Sequence, residues 1–143
     1  MTQVSFYTGV PERLAYVCRL LRKAQQSGAR VGVCGPTALL KRLDAALWAI
    51  EPVEFVPHLN LSAGTVDEAL KAATTILLTE RAVELAHREV LLNLGMEMPE
   101  GFDQFKRVLE VVSQDAEQVQ SGRRRYRLYE EFGASVSHHK VPA

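Results

Sequence analysis

Four arginines crowd one stretch of this chain: Arg123, Arg124, Arg125 and Arg127 lie among Val119, Gly122, Tyr126, Tyr129 and Gly133. The five interleaved residues step by three, four, three and four positions, which is the spacing of one narrow helical seam. Arg123 and Arg127 are i, i+4 neighbours on such a helix, and Arg123 is i, i+3 from Tyr126. Guanidiniums flanking an aromatic ring suit a short peptide that is acidic and apolar and ends in a free carboxylate. Gly122 costs about 1 kcal/mol against alanine in a helix interior, so it marks a place where another backbone or a ligand comes close. The competing reading is a solvated basic face, supported by the preference for arginine late in helices.

A second candidate surface comes from the chain's single tryptophan. The segment after Thr37 carries an apolar stripe of Leu39, Leu40, Leu43, Leu47 and Ile50. At 100° per residue, Trp48 falls about 140° from Leu43, beside Lys41, Asp44 and Ala45 rather than on the stripe. Phe55, Val56 and Pro57 follow a few residues later. Tryptophan and phenylalanine on one surface are the material of a protein–protein hot spot. The competing reading has the sheet or a loop covering Trp48.

Enzymatic chemistry finds little footing. The turn from Gly32 to Thr37 joins a strand to a helix, where phosphates often sit in α/β folds. It matches neither glycine-rich phosphate fingerprint, and no lysine follows its glycine. It reads instead as a tight turn with Thr37 capping the helix. No HExxH, GxSxG or metal-ligand spacing occurs, so no metal or cofactor is expected. His58, His87, His138 and His139 read as surface or structural residues. Cys18 and Cys34 lack the CxxC spacing of a metal or redox site.

These residues need a scaffold, and hydrophobic periodicity outlines one. Strands are predicted over 3–8, 29–34, 54–57, 74–79, 89–94 and 107–113. A helix begins at Pro11 and is closed by Gly28. A second runs from the turn to about Ile50, and a long third over 115–132 ends at Gly133. Helical turns are predicted near 67–73, 81–86 and 101–106, and loops over 59–66 and 96–101. Alternating strands and helices imply a single-domain, Rossmann-like α/β fold over residues 1–133, with a mostly parallel sheet and helices on both faces. Residues 134–143 read as a flexible C-terminal tail.

Composition narrows the function further. The chain has 143 residues, with 17 Lys+Arg against 17 Asp+Glu and therefore zero formal net charge. Proteins that grip DNA by its phosphates carry a basic excess, so strong direct nucleic-acid binding is not expected. Hydrophobic residues make up 47% and no apolar run reaches membrane-spanning length, which points to a cytoplasmic globular protein.

Several segments together resemble a known family. They are Arg42-Leu-Asp-Ala-Ala-Leu-Trp48, Phe55-Val-Pro-His58, and Arg125-Tyr-Arg-Leu-Tyr129 with Gly133. Phe6-Tyr7, the strand from Val90 to Leu94 and the segment from Phe105 to Val112 add to them. The chain is similar here, over nearly its full length, to the chi subunit of bacterial DNA polymerase III holoenzyme. The resemblance implies a nucleotide-binding-like fold without a working nucleotide site or intrinsic activity. It implies a psi subunit partner that tethers the chain to the clamp loader, docking on a surface that includes Trp48 and Phe55, with Val56 and Pro57 beside them. It also implies a second surface, with Arg123 and Tyr126, for the acidic, Pro-Phe-ending C-terminal tail of single-stranded-DNA-binding protein. Val119 stands where the family carries a basic residue, and Arg124 where an acidic one can sit. The resemblance thus implies tail binding spread over Arg123, Arg124 and Arg127, beside a hollow near Val119, Gly122 and Tyr126. The alternatives are a small nucleotide-binding α/β enzyme and a DNA-binding arginine helix.

Overall fold

A computed structural model describes residues 2–49, 56–63 and 67–142. Seven strands form one sheet: β1 (Gln3–Val10), β2 (Val31–Cys34), β3 (Leu59–Asn60), β4 (Ile76–Thr79), β5 (Val90–Asn93), β6 (Arg107–Ser113) and β7 (Ser135–Lys140). Their spatial order is β3-β4-β2-β5-β6-β1-β7, and every neighbouring pair is parallel. Four helices connect them: α1 (Arg13–Ser27), α2 (Thr37–Trp48), α3 (Glu68–Ala73) and α4 (Ala116–Phe132).

The central strands are apolar at consecutive positions because both of their faces are covered. Alternation along each strand divides those residues between two cores. Val31, Val33, Ile76, Leu78, Leu92 and Val111 pack with Val17 and Leu21 of α1 and Leu40, Leu43 and Leu47 of α2. Leu77, Leu91, Val108 and Val112 face the other way, with Phe6, Phe102, Phe105 and Tyr129 of α4. Helices therefore flank both sides of the sheet, the Rossmann-like arrangement expected from the alternating pattern. Each fully buried aliphatic side chain contributes about 1.5–3 kcal/mol.

Three expectations are corrected. Residues 56–58 are not a strand; the short β3 is Leu59–Asn60, inside the stretch read as a loop, and is followed by a 3-10 turn at Leu61–Ala63. Val56 drops wholly into the core, and His58 turns inward. The rest of the strand expected over 54–57 lies outside the described residues. Thr37 does not cap α2; Pro36 holds the cap position, and the Thr37 hydroxyl donates to Glu80 at 2.5 Å. Finally, most of the segment read as a flexible tail is β7, which pairs with β1 from Gln3↔Ser135 to Thr8↔Lys140. Gly133, with φ of 99°, makes that turn possible. It closes α4 in the left-handed region while Ala134 N–H donates to Tyr129 O at 3.1 Å.

Candidate functional site

α4 lies on the sheet through Ser121, Gly122, Arg125 and Tyr129, which are all buried. Gly122 is there because of β6: a Cβ built on it would stand 3.0 Å from Val112 Cγ2. A side chain at that position would press Val112 or lift the helix by a few tenths of an ångström, and a groove opens beside it. Its volume is about 570 Å³. Phe6, Val112 and Gly122 contribute to the floor; Val119, Arg123 and Tyr126 of α4 form one wall. The opposite wall comes from Thr8 at the end of β1 and from His138 and Lys140 of β7. The Tyr126 ring is set against Phe6, with centroids 5.1 Å apart.

Among the described residues, the groove's lining holds two fixed cations, Arg123 and Lys140, together with His138, and no carboxylate. A chain of zero net charge thus concentrates positive charge around an apolar floor. Of the six residues expected to contact an acidic tail, Val119, Gly122, Arg123 and Tyr126 meet in this groove. Arg124 and Arg127 are exposed on α4 and do not line it. Thr8 lay in a strand that was expected, but nothing marked it as a site residue; His138 and Lys140 were missed because β7 carries one apolar residue, Val136, too few to reveal a strand.

Arg125 departs from its three neighbours by turning inward. Its Nε donates to Glu110 Oε1 at 3.1 Å, and its Nη1 donates to Met96 O at 2.9 Å and Ser121 Oγ at 2.5 Å. Tyr129 donates its hydroxyl to Glu110 Oε2 at 2.6 Å, and Asn93 donates to the same oxygen at 2.9 Å. Burial pushes the Glu110 carboxyl upward, while the Arg125 cation and the hydrogen bonds from Asn93 and Tyr129 pull it down. Burial and the nearby Glu110 raise the Tyr129 phenol, which keeps its proton and stays a donor. Every member of the cluster is satisfied within the protein, so it positions α4 rather than presenting reactive groups.

The aromatic face is built differently. Trp48, at the end of α2, is 60% exposed. Its ring lies against His58, centroids 5.4 Å apart. His58 Nδ1 is 2.7 Å from Val56 O, and His58 Nε2 is 2.7 Å from Asp44 Oδ1. Asp44 and His58 belong to the two motif segments that end in Trp48 and begin at Phe55. Their contact joins those segments and braces the indole from below. Pro57 is exposed beside them, whereas Val56 is buried in the core and offers no docking surface, a correction to its expected place there. Phe55 lies outside the described residues.

The other sequence candidates gain no chemistry. Burial and Glu110 push the Cys34 thiol up to about 12, too high for a nucleophile near neutral pH. At the start of α2, where a phosphate would bind, Glu80 sits hydrogen-bonded to Thr37. Among the described residues no group of three or more His, Cys, Asp or Glu is placed to hold a metal ion. No described helix is long and apolar enough to cross a membrane.

Comparison with known proteins gives a consistent result. Residues 1–137 match the family described as DNA polymerase III chi subunit, HolC. The DNA polymerase III subunit chi of Pseudomonas aeruginosa is 32% identical over 148 aligned positions, covering 99% of both chains. That of Haemophilus influenzae is 31% identical over 126 positions, covering 87% of this chain and 84% of the relative.

Proposed function

The chain belongs to the DNA polymerase III chi subunit family, and from that premise we propose that it acts as a non-catalytic, cytoplasmic adaptor in the replicative clamp-loader complex. Its groove takes the C-terminal tail of single-stranded-DNA-binding protein, and its Trp48 face takes the psi subunit. The observation that supports this most directly is the groove itself: an apolar floor, Arg123 and Lys140 at its walls, and no carboxylate among the described residues that line it. A terminal aromatic side chain fills the hollow against Val119, Gly122 and Tyr126, and its carboxylate pairs with Arg123. Burying that ring contributes about 1.5–3 kcal/mol. The exposed guanidinium adds less than a buried one, about 1 kcal/mol. After the cost of ordering a short peptide, the affinity is of order micromolar. Several tails on one oligomer then raise the effective grip.

The psi half rests on Trp48, a large aromatic held out from the surface on the Asp44–His58 brace. Such an indole is already ordered before docking, so little rotamer entropy is lost. Pro57 borders it, and Phe55, outside the described residues, completes the proposed contact set. Arg124 and Arg127, exposed outside the groove, serve the acidic residues upstream of the tail's end by long-range attraction.

Arg123→Ala is expected to weaken binding of the tail peptide about fivefold and to leave psi co-purification unchanged. Trp48→Ala is expected to do the reverse. Calorimetric titration of the peptide and co-purification with psi check the two halves separately. Unchanged peptide affinity in Arg123→Ala would remove the groove assignment, and undiminished psi recovery in Trp48→Ala would remove the aromatic one.

A further inference from the structure

The two walls of the groove differ in kind. The α4 wall carries a guanidinium, Arg123, whereas the β7 wall carries a histidine. Strand alternation places His138 and Lys140 on the groove side. His139, between them, points the other way and stacks on Tyr7, centroids 5.2 Å apart. His138 Nε2 lies 2.5 Å from Thr8 Oγ1, and Thr8 also lines the groove.

We propose that His138, supported by Lys140 and Thr8, is the second, proton-dependent half of the grip on a peptide's terminal carboxylate. Binding in the groove then tightens as the solution is acidified. The inference rests on the peptide-groove reading above and adds a residue and a pH dependence to it.

The charges and titratable groups that share the groove with His138 are Arg123 and Tyr126 of α4 and Lys140 of β7; Phe6 and Thr8 of β1 are neutral. No carboxylate among the described lining residues competes for the ring. An incoming carboxylate therefore supplies the negative charge that favours a protonated ring. By reciprocity, a protonated ring holds that carboxylate more tightly. The Thr8 hydroxyl takes part in the exchange. While Nε2 is unprotonated, the hydroxyl donates its hydrogen to it. Once Nε2 carries a proton, Nε2–H donates to Thr8 Oγ1, and the hydroxyl hydrogen turns toward the incoming oxyanion.

The test uses the full chain and a labelled peptide of neutral residues ending in phenylalanine with a free carboxylate. That carboxylate titrates near about 3.5, and a pH-insensitive label capping the N-terminal amine removes the group that would titrate near about 8, so the peptide's charge is constant between about pH 5.5 and about pH 8. By fluorescence anisotropy, wild type is expected to bind about fivefold tighter at the lower pH. His138→Gln is expected to show a flat profile, and His139→Gln, altered on the opposite face, the wild-type slope. The same peptide with an amidated end is expected to lose the dependence. A flat wild-type profile, or an unchanged slope in His138→Gln, overturns the proposal while leaving the groove reading standing. A peptide that fails to bind at every pH overturns the groove reading, and the proposal with it. Thermal melts of both variants confirm that they remain folded.

Discussion

Arg125 and Arg123 sit two residues apart on α4 and do opposite work. Arg123 keeps its guanidinium at the groove, while Arg125 is 2% exposed and spends its donors on Glu110, Met96 O and Ser121. Truncating one partner of a buried ion pair leaves the other charge in a low-dielectric site. Arg125→Ala is therefore expected to destabilise the chain by about 3–5 kcal/mol, measured by urea unfolding. A loss under about 1 kcal/mol would mean that water compensates Glu110 and the pair is not a structural tie. The sequence offered no way to separate Arg125 from the arginines around it, since its partner lies on β6, fifteen positions back. A signal existed on the partner's side. Glu110 interrupts a strand otherwise made of Val108, Leu109, Val111 and Val112, and a lone carboxylate in a buried strand requires a cation or donors nearby. Trp48 behaved differently: its angular displacement from the leucine stripe pointed away from the core but left open a covering loop or sheet, and the structure leaves it 60% exposed.

At the scale of elements, the groove depends on how closely α4 approaches β6. Gly122 sets that distance, and its reading as a point of close approach was available from helix propensity alone. Gly122→Leu is expected to drive a side chain into Val112, destabilise the chain by about 1–3 kcal/mol and abolish peptide binding by filling the floor. Thermal unfolding and anisotropy measure the two effects; wild-type peptide affinity in this variant would show that the ligand binds elsewhere. The interior elements were legible because their burial leaves apolar runs: β2, β4 and β5 and the helices α1, α2 and α4 fall where periodicity puts them. The edge was not. β7 contacts the sheet only through β1, most of its side chains face solvent, and its hydrogen bonds to Gln3–Thr8 leave no mark in composition. The wall it gives the groove was lost with it.

For the molecule as a whole, the two proposed docking surfaces arise on elements that cover opposite faces of one sheet: α2 belongs to one core and α4 to the other. The alternating pattern led to helices on both faces but not to which helix covers which, and the assignment of ligands to surfaces came from family resemblance and not from periodicity. A global property also follows from a residue in neither surface. Both ring nitrogens of His87 are buried without a hydrogen-bond partner among the described residues. Burial, with Arg30 and Arg88 nearby, pushes the His87 imidazole below its ordinary value. The unfolded chain takes up that proton near pH of about 6.5, and the folded chain resists it. Stability present above that pH is therefore lost as the solution is acidified toward the lower folded value. His87→Leu is expected to flatten the decline in denaturation midpoint between about pH 7 and about pH 5. Parallel curves for variant and wild type would assign the decline to other groups.

The Glu110 cluster has a mechanical consequence. Along α4, the residues one turn either side of Arg125 that would face Glu110 after a slip are Ser121 and Tyr129, neither of them a cation. An axial slide of the helix by one turn would strand a carboxylate beneath a neutral side chain, at a cost comparable to deleting the arginine. The ion pair thus works as a detent, holding α4 at one longitudinal setting. A cleft formed between a helix and a strand edge keeps its dimensions only while the two cannot ratchet past each other, and here one buried charge fixes the gauge.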